Sequence, residues 1–298
     1  MAPPSSPANS RLTGAFVACV LIWGSTFLVI RVGNDAMPPL WAASLRLALA
    51  ALVLGVLARL SHQPRPRGAA ARAATWYGLL QFGLNFPLLY WGETGLSSGL
   101  SAVMFATVPL SGPLFAHALG VETLAPLKLL AALVGIGGVA VIFGGEIHGT
   151  VPVAPFVAVI TAATLGSLGT VLLKRGPRQS PIVTNAWGAL VGLPLCLAGS
   201  FALGEHHPLP TTAARIVPLL YLTLAGSVGA FVLLAWLVHR WPITRISFIA
   251  ILAPTLAVFL GAVARHERLG PAGLLGSLLV LAGVGLSVAT DRRRARGA

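Results

Sequence analysis

Apolar stretches of close to twenty residues follow one another along the chain, divided by short segments that carry Pro, Gly or charge. A helix advances about 1.5 Å per residue, so crossing a hydrocarbon layer of roughly 30 Å takes about 20 mostly apolar residues. Ten segments meet that requirement: 12–31, 38–59, 75–93, 98–120, 127–144, 154–173, 182–203, 215–238, 243–264 and 271–289. Several of the linkers are short, which sets neighbouring helices antiparallel. The pattern therefore predicts an all-α membrane protein with ten transmembrane helices. Residues 1–11, MAPPSSPANSR, are rich in Pro and Ser and are expected to be disordered; residues 290–298 form a basic tail. The first apolar run lacks an A-x-A cleavage pattern and precedes many further spans, so it is expected to remain as a helix.

Composition excludes the soluble alternative. Hydrophobic residues make up 56% of the chain and charged residues only 9%, against about 25% charged in a soluble domain. Mean hydropathy is +0.86. The 34 Gly and 22 Pro suit membrane helices, where neighbouring helices satisfy freed backbone groups. A net charge of +13 would suggest nucleic acid in a soluble protein, but here the cations sit in short clusters between apolar segments. Their placement reads as topology. With the N-terminus inside, 15 of the 20 Lys and Arg fall on the inner face, four (Arg31, Arg215, Arg265 and Arg268) on the outer face, and Arg46 alone within a span. Cytoplasmic loops carry the excess of basic residues, so both termini are expected in the cytoplasm.

The second half of the sequence repeats the first at a shift of 145 positions. Leu88, Leu89 and Trp91 fall on Leu233, Leu234 and Trp236; Pro109 falls on Pro254, Glu122 on Glu267, Pro126 on Pro271, and Gly138 on Gly283. Leucine matches mean little in so apolar a chain, whereas Trp, Glu and two Pro at one shift do not arise by composition. The repeats cover 12–144 and 154–289 with five helices each. Five is odd, so the second copy enters the membrane from the opposite side. Such inverted repeats characterise many secondary transporters, with a substrate site near the midplane between the halves.

Polar residues inside spans and without a counterpart in the other repeat are the site candidates. Arg46 maps onto Val191, Gln81 onto Gly226, Asn85 onto Ala230 and Glu93 onto Val238. Arg46 lies about 12 Å below the outer end of its span. A lipid-facing charge there costs from about 2.5 to more than 10 kcal/mol, so Arg46 is expected to line a water-filled cavity and draw an anionic group of the cargo. Asn85 either bonds a backbone carbonyl freed by Pro87 or contacts the cargo, and Gln81 shares its face one turn earlier. Glu93 is either a solvated carboxylate at the outer interface or a cation or proton site facing Arg46. Trp23, Trp91 and Trp187 are candidate cavity walls; Trp41, Trp76 and Trp241 fall at span ends, where interfacial belts form.

The loop GEHHP at 204–208 clusters potential metal ligands, but adjacent residues rarely converge on one ion; a solvated loop and no metal site are expected. Cys19 and Cys196 show no metal or disulfide spacing. No P-loop is present, so energy should come from a coupling ion such as a proton or from the cargo's own gradient. The spans offer no paired catalytic groups, which argues against an enzyme, and no cofactor is implied. The expected partners are a small-molecule substrate and the lipid bilayer, with no nucleic acid. An organic-cation exporter using Glu93 and its aromatic neighbours is the alternative within transport, and a non-transporting membrane sensor remains open.

Several stretches resemble EamA-type members of the drug/metabolite transporter superfamily. LIWGSTFLVIRVG (21–33) is similar to the family's first helix, and WAASLRLALAALVL (41–54) to its second, which commonly carries an arginine at the Arg46 position. Residues 90–124 and 251–284 resemble its paired later stretches. In the G-E-R-L-like turns, Val121 and His266 replace the glycine, and Thr123 replaces one arginine. The resemblance implies two inverted five-helix repeats in a bacterial inner-membrane protein that exports small metabolites, often amino acids.

The charge distribution makes a direct prediction. Reporter fusions at Ala298 and within the 204–214 loop should report opposite sides of the membrane; the same side for both would break the ten-span reading.

Overall fold

The computed structural model describes residues 7–144, 152–256 and 271–296, and every regular element among them is helical. The helices are α1 (Pro7–Ala36), α2 (Pro39–Leu60), α3 (Gly68–Gly78), α4 (Asn85–Gly95), α5 (Ser98–Phe105), α6 (Val108–Ala118), α7 (Pro126–Phe143), α8 (Val153–Arg175) and α9 (Pro181–Ala202). They are followed by α10 (Ala213–Tyr221) and α11 (Phe231–Val238), then α12 (Ile243–Leu256) and α13 (Pro271–Arg296). Six described helical stretches are long and apolar enough to cross a membrane, and the helices at 126, 243 and 271 add shorter apolar ones. The protein is a multi-pass, all-helical membrane protein. The first helix begins at Pro7, several residues ahead of the position expected from composition.

Two spans are not uniform α-helix. Between α3 and α4 the chain is π-helical over Leu79–Leu84, and between α10 and α11 over Leu222–Ala230. Each π segment closes with an i→i−5 bond, from Asn85 N–H to Leu80 O and from Phe231 N–H to Gly226 O. The 145-residue shift carries 79–84 onto 224–229, inside the second π segment. Prolines stand close by, Pro87 after the first and Pro218 before the second, and a proline leaves the carbonyl four residues earlier without its donor. Such segments re-aim side chains and are frequent at functional sites.

Close packing depends on glycine. A Cβ at Gly138 would lie 2.6 Å from Gly276 O, and one at Gly276 would lie 2.5 Å from Gly138 O, so α7 and α13 touch backbone to backbone. Gly78 meets Gly188 in the same way where α3 crosses α9. Lipid gives apolar side chains no reason to leave it, so association relies on such close contact between small residues. α2 packs along α9 and α4 along α8, which brings elements of both halves into one bundle.

Two carboxylates tie the halves at opposite ends. Glu205 accepts hydrogen bonds from Leu40 N (3.1 Å) and Trp41 N (2.8 Å) at the start of α2, and from Ser200 Oγ (2.7 Å). His207 packs edge-on against Trp41, 4.8 Å between centroids. Glu205 and His207 are therefore docked at the start of α2, while Gly204 and His206 stay exposed, and among the described residues no three His, Cys, Asp or Glu side chains are grouped so as to hold a metal ion. Glu122 accepts from Ile243 N (2.5 Å) and from Thr244 N (3.4 Å) at the start of α12, and pairs with Lys174 Nζ at 3.2 Å. Its repeat counterpart Glu267 lies outside the described residues. Both carboxylates serve helix N-termini whose own cap residues, Pro38 and Pro242, have no side-chain acceptor. Trp241, expected at the interface, is buried instead, with Arg245 stacked on its ring at 3.7 Å.

A hydrogen bond to a charged group contributes about 1.5–3 kcal/mol. Glu205→Ala should therefore lower the melting temperature of the detergent-solubilised protein by several degrees, with Glu205→Gln intermediate. An unchanged melting temperature for Glu205→Ala would show that the clasp contributes nothing.

Candidate functional site

A cavity of about 140 Å³ lies in the bundle, lined from both halves by α1, α2, α4, α5, α6, α8, α11, α12 and the first π segment. Its walls are mostly apolar and include five rings, Trp23, Phe27, Phe86, Phe105 and Phe231. Trp23 meets Phe231 edge-on at 5.1 Å, and Phe27 meets Phe105 at 5.4 Å. Ring edges and faces packed in this way form a stiff wall that accepts apolar groups.

Arg46 lines the cavity and is only 2% exposed. Its Nε donates to Ser227 Oγ at 2.8 Å and its Nη1 to Tyr90 Oη at 3.1 Å, while its guanidinium carbon lies 4.6 Å from the centroid of Phe86. These partners are all neutral, and among the described residues no carboxylate lies within ion-pair distance of the guanidinium. The second π segment makes room for it. A Cβ at Gly226 would stand 2.8 Å from Arg46 Nη2. A buried charge with neutral partners alone is energetically expensive, and the fold keeps this one facing the cavity.

Gln81 and Asn85 also line the cavity, one turn apart on the first π segment and α4. Both amides lie against the bare backbone of Gly166 on α8. A Cβ there would be 2.2 Å from Asn85 Nδ2 and 3.1 Å from Gln81 Oε1. Neither amide has a hydrogen-bond partner among the described residues, so Asn85 does not serve a carbonyl freed by Pro87. The next residue, Ser167, lines the same space, and its Oγ is buried without a partner.

Of the seven residues singled out in the sequence, Arg46, Gln81, Asn85 and Trp23 meet at this cavity, and Glu93, Trp91 and Trp187 do not line it. Trp187 donates its Nε1–H to Thr75 Oγ1 at 2.9 Å, between α9 and α3. Glu93 is fully buried beside the end of α4, and neither carboxyl oxygen has a partner among the described residues. It does not face Arg46; the nearby cation is Arg31, whose Nη1 donates to the main-chain oxygens of Glu93 (2.6 Å) and Leu96 (3.2 Å). The structure adds Tyr90, Ser227, Ser167, Phe86 and Phe231. The last two fall on each other at the 145-residue shift, a mid-span aromatic match present in the sequence and set aside by a filter that looked only for unmatched polar residues.

The comparisons with known proteins agree with this architecture. The profile of the EamA-like transporter family matches residues 13–144 and again 154–289. A protein of Salmonella typhimurium named "Probable amino-acid metabolite efflux pump" is 27% identical over 90% of this chain and 92% of its own. A protein of Streptantibioticus cattleyicolor named "Probable terminal-alkyne amino-acid exporter" is 27% identical over 92% of each chain. An uncharacterized transporter of Bacillus subtilis, YoaV, is 26% identical over 93% of this chain and 97% of its own. A solved crystal structure 20% identical in sequence superposes with a TM-score of 0.76 over 95% of this chain and 98% of that one, and so shares its fold. Two family matches, one on each half of a helical bundle that closes around a shared cavity, place the chain in the EamA-like transporter family: it is a membrane transporter and not an enzyme.

Proposed function

We propose that this transporter exports small metabolites that share the carboxylate of amino acids, across the bacterial inner membrane by alternating access through the central cavity. The observation that carries the reading is Arg46, a buried guanidinium on the cavity wall with neutral partners only. A cargo carboxylate can take two parallel N–H donors from that planar group, an arrangement lysine cannot reproduce. The names of the Salmonella and Streptantibioticus relatives, both exporters or efflux pumps for amino-acid compounds, favour the same class.

Ten spans in two inverted five-helix repeats, with both termini cytoplasmic, complete the reading. The paired π segments at equivalent positions and the close packing of α2 on α9 and of α7 on α13, each pair equivalent under the repeat, support it. Inversion supplies two related conformations, one open to each side. The organic-cation alternative has less support, since the described lining includes one cation and no carboxylate, and Glu93 is packed away from it. The coupling ion of this reading is a proton carried at Glu93, a buried carboxyl with no competing partner among the described residues.

Arg46→Ala should insert and fold as wild type but lose transport by at least tenfold in proteoliposomes, with Arg46→Lys retaining part of it. Full transport by Arg46→Ala at wild-type expression would sink the cargo role. For Glu93→Gln, uphill export driven by a proton gradient should fail while cargo-for-cargo exchange continues. Wild-type behaviour in both assays would remove Glu93 from coupling.

A further inference from the structure

Apart from Thr26, Thr170 and Ser247, whose hydroxyls donate to carbonyls of their own helices, the polar groups of the cavity fall into two sets, and their chemistry restricts the cargo further than a carboxylate alone. Arg46 is the one charged residue in the described lining. The second set is entirely neutral: Gln81 and Asn85 meet at the bare Gly166 of α8, and the next residue, Ser167, lines the same cavity with its Oγ toward Gly112 of α6. It mixes donors and acceptors. Each amide brings two N–H donors and one carbonyl acceptor, and the serine hydroxyl can do either. Ser167 is 5% exposed, and its Oγ has no partner among the described residues.

A zwitterionic amino acid fits this arrangement poorly. Its carboxylate would neutralise Arg46, and its ammonium would then remain as an uncompensated charge among neutral dipoles in an apolar, aromatic-walled space. An ammonium is also a donor only, so it could use the amide oxygens and the serine but would leave the amide N–H groups of Gln81 and Asn85 unpaired. An uncharged polar group with both functions, such as the amide of an acylated amine or a hydroxyl, can engage both sides of that set. The total charge of such a cargo with Arg46 is zero.

We infer that the cavity selects monoanionic acids, meaning a carboxylate with an apolar side chain whose second polar group is uncharged and both donates and accepts, as in N-acyl or 2-hydroxy acids, over the free amino acids of the same shape. Arg46 takes the carboxylate, the Gln81–Asn85–Ser167 set takes the neutral polar group, and the aromatic rings take the apolar tail. The inference rests on the assignment of Arg46 to a cargo carboxylate and adds Ser167 and the charge rule to it.

The test uses the full-length protein in proteoliposomes and four matched compounds: leucine, N-acetyl-leucine, the 2-hydroxy acid with the leucine side chain, and 3-methylbutylamine, which lacks the carboxylate. Quenching of tryptophan fluorescence, with Trp23 on the cavity wall, reads binding, and counterflow reads transport. The two monoanions should bind at least tenfold more tightly than leucine, and the amine should not bind. Ser167→Ala and Asn85→Leu should each weaken the monoanions and narrow their lead over leucine. Equal or tighter binding of leucine overturns the inference, as does failure of both monoanions to bind at millimolar concentration. Loss of monoanion binding in Arg46→Ala and its partial return in Arg46→Lys is the expected companion result. Unchanged monoanion binding in Arg46→Ala would overturn the carboxylate assignment itself, a failure separate from leucine outcompeting the monoanions while Arg46→Ala abolishes binding.

Discussion

A guanidinium held inside an apolar bundle is the constraint around which the rest of the interior is arranged. The charge of Arg46 has to be housed within the bundle. The second π segment brings Gly226 opposite Nη2, where a side chain would collide, and places Ser227 one residue on, within 2.8 Å of Nε. α4 supplies Tyr90 to Nη1 and Phe86 to the guanidinium face. Two elements, one from each half of the chain, thus converge on one side chain of α2. Those contacts orient the charge without cancelling it, which is what a binding residue requires and a structural ion pair does not.

Much of the fold was legible in hydropathy because a bilayer imposes a single demand. Backbone polar groups have to be satisfied within the segment, and the segment has to be long enough. The repeat was legible because Trp91, Glu122, Pro109 and Pro126 recur at one shift. What hydropathy did not reveal is where a span departs from α-helix. Leu79–Leu84 and Leu222–Ala230 have the same apolar composition as their flanks, and the choice between an i−4 and an i−5 bond depends on the packing around Gly83 and Gly226. The docking of Glu205 and His207 escaped the reading for a related reason. Glu205 looks like any exposed loop carboxylate until Pro38 and Pro39 leave α2 without a local cap.

The site was legible in depth and less so in azimuth. Arg46, Gln81 and Asn85 stand out because a polar group in an apolar span has few reasons to be there. Depth alone does not say which way a side chain points, and Trp23, Trp91 and Trp187 divide on that ground, with only the first reaching the cavity. Glu93 has the depth of a site residue and the surroundings of a packed one, behind a helix end that Arg31 closes. The matched pair Phe86 and Phe231 shows the limit of using asymmetry as a guide. Two aromatics that fall on each other at the 145-residue shift lie 5.8 Å apart on the cavity wall and serve frame and cavity together.

The same geometry ties the site to the ends of the bundle. Glu205 belongs to the second half and holds α2, the helix that carries Arg46; Glu122 belongs to the first half and holds α12, whose first turns line the cavity. Each clasp is a carboxylate accepting main-chain N–H groups at a helix start, an arrangement that favours negative charge at the positive end of the helix dipole. Each therefore fixes the position of one cavity wall relative to the opposite half. A rearrangement that moves α2 or α12 away from the cavity has to break its clasp and expose the carboxylate and the helix start to water, which can then hydrate both. With both clasps closed, α2 and α12 are each fixed to the opposite half, and the Arg46 charge is held on the cavity wall between them.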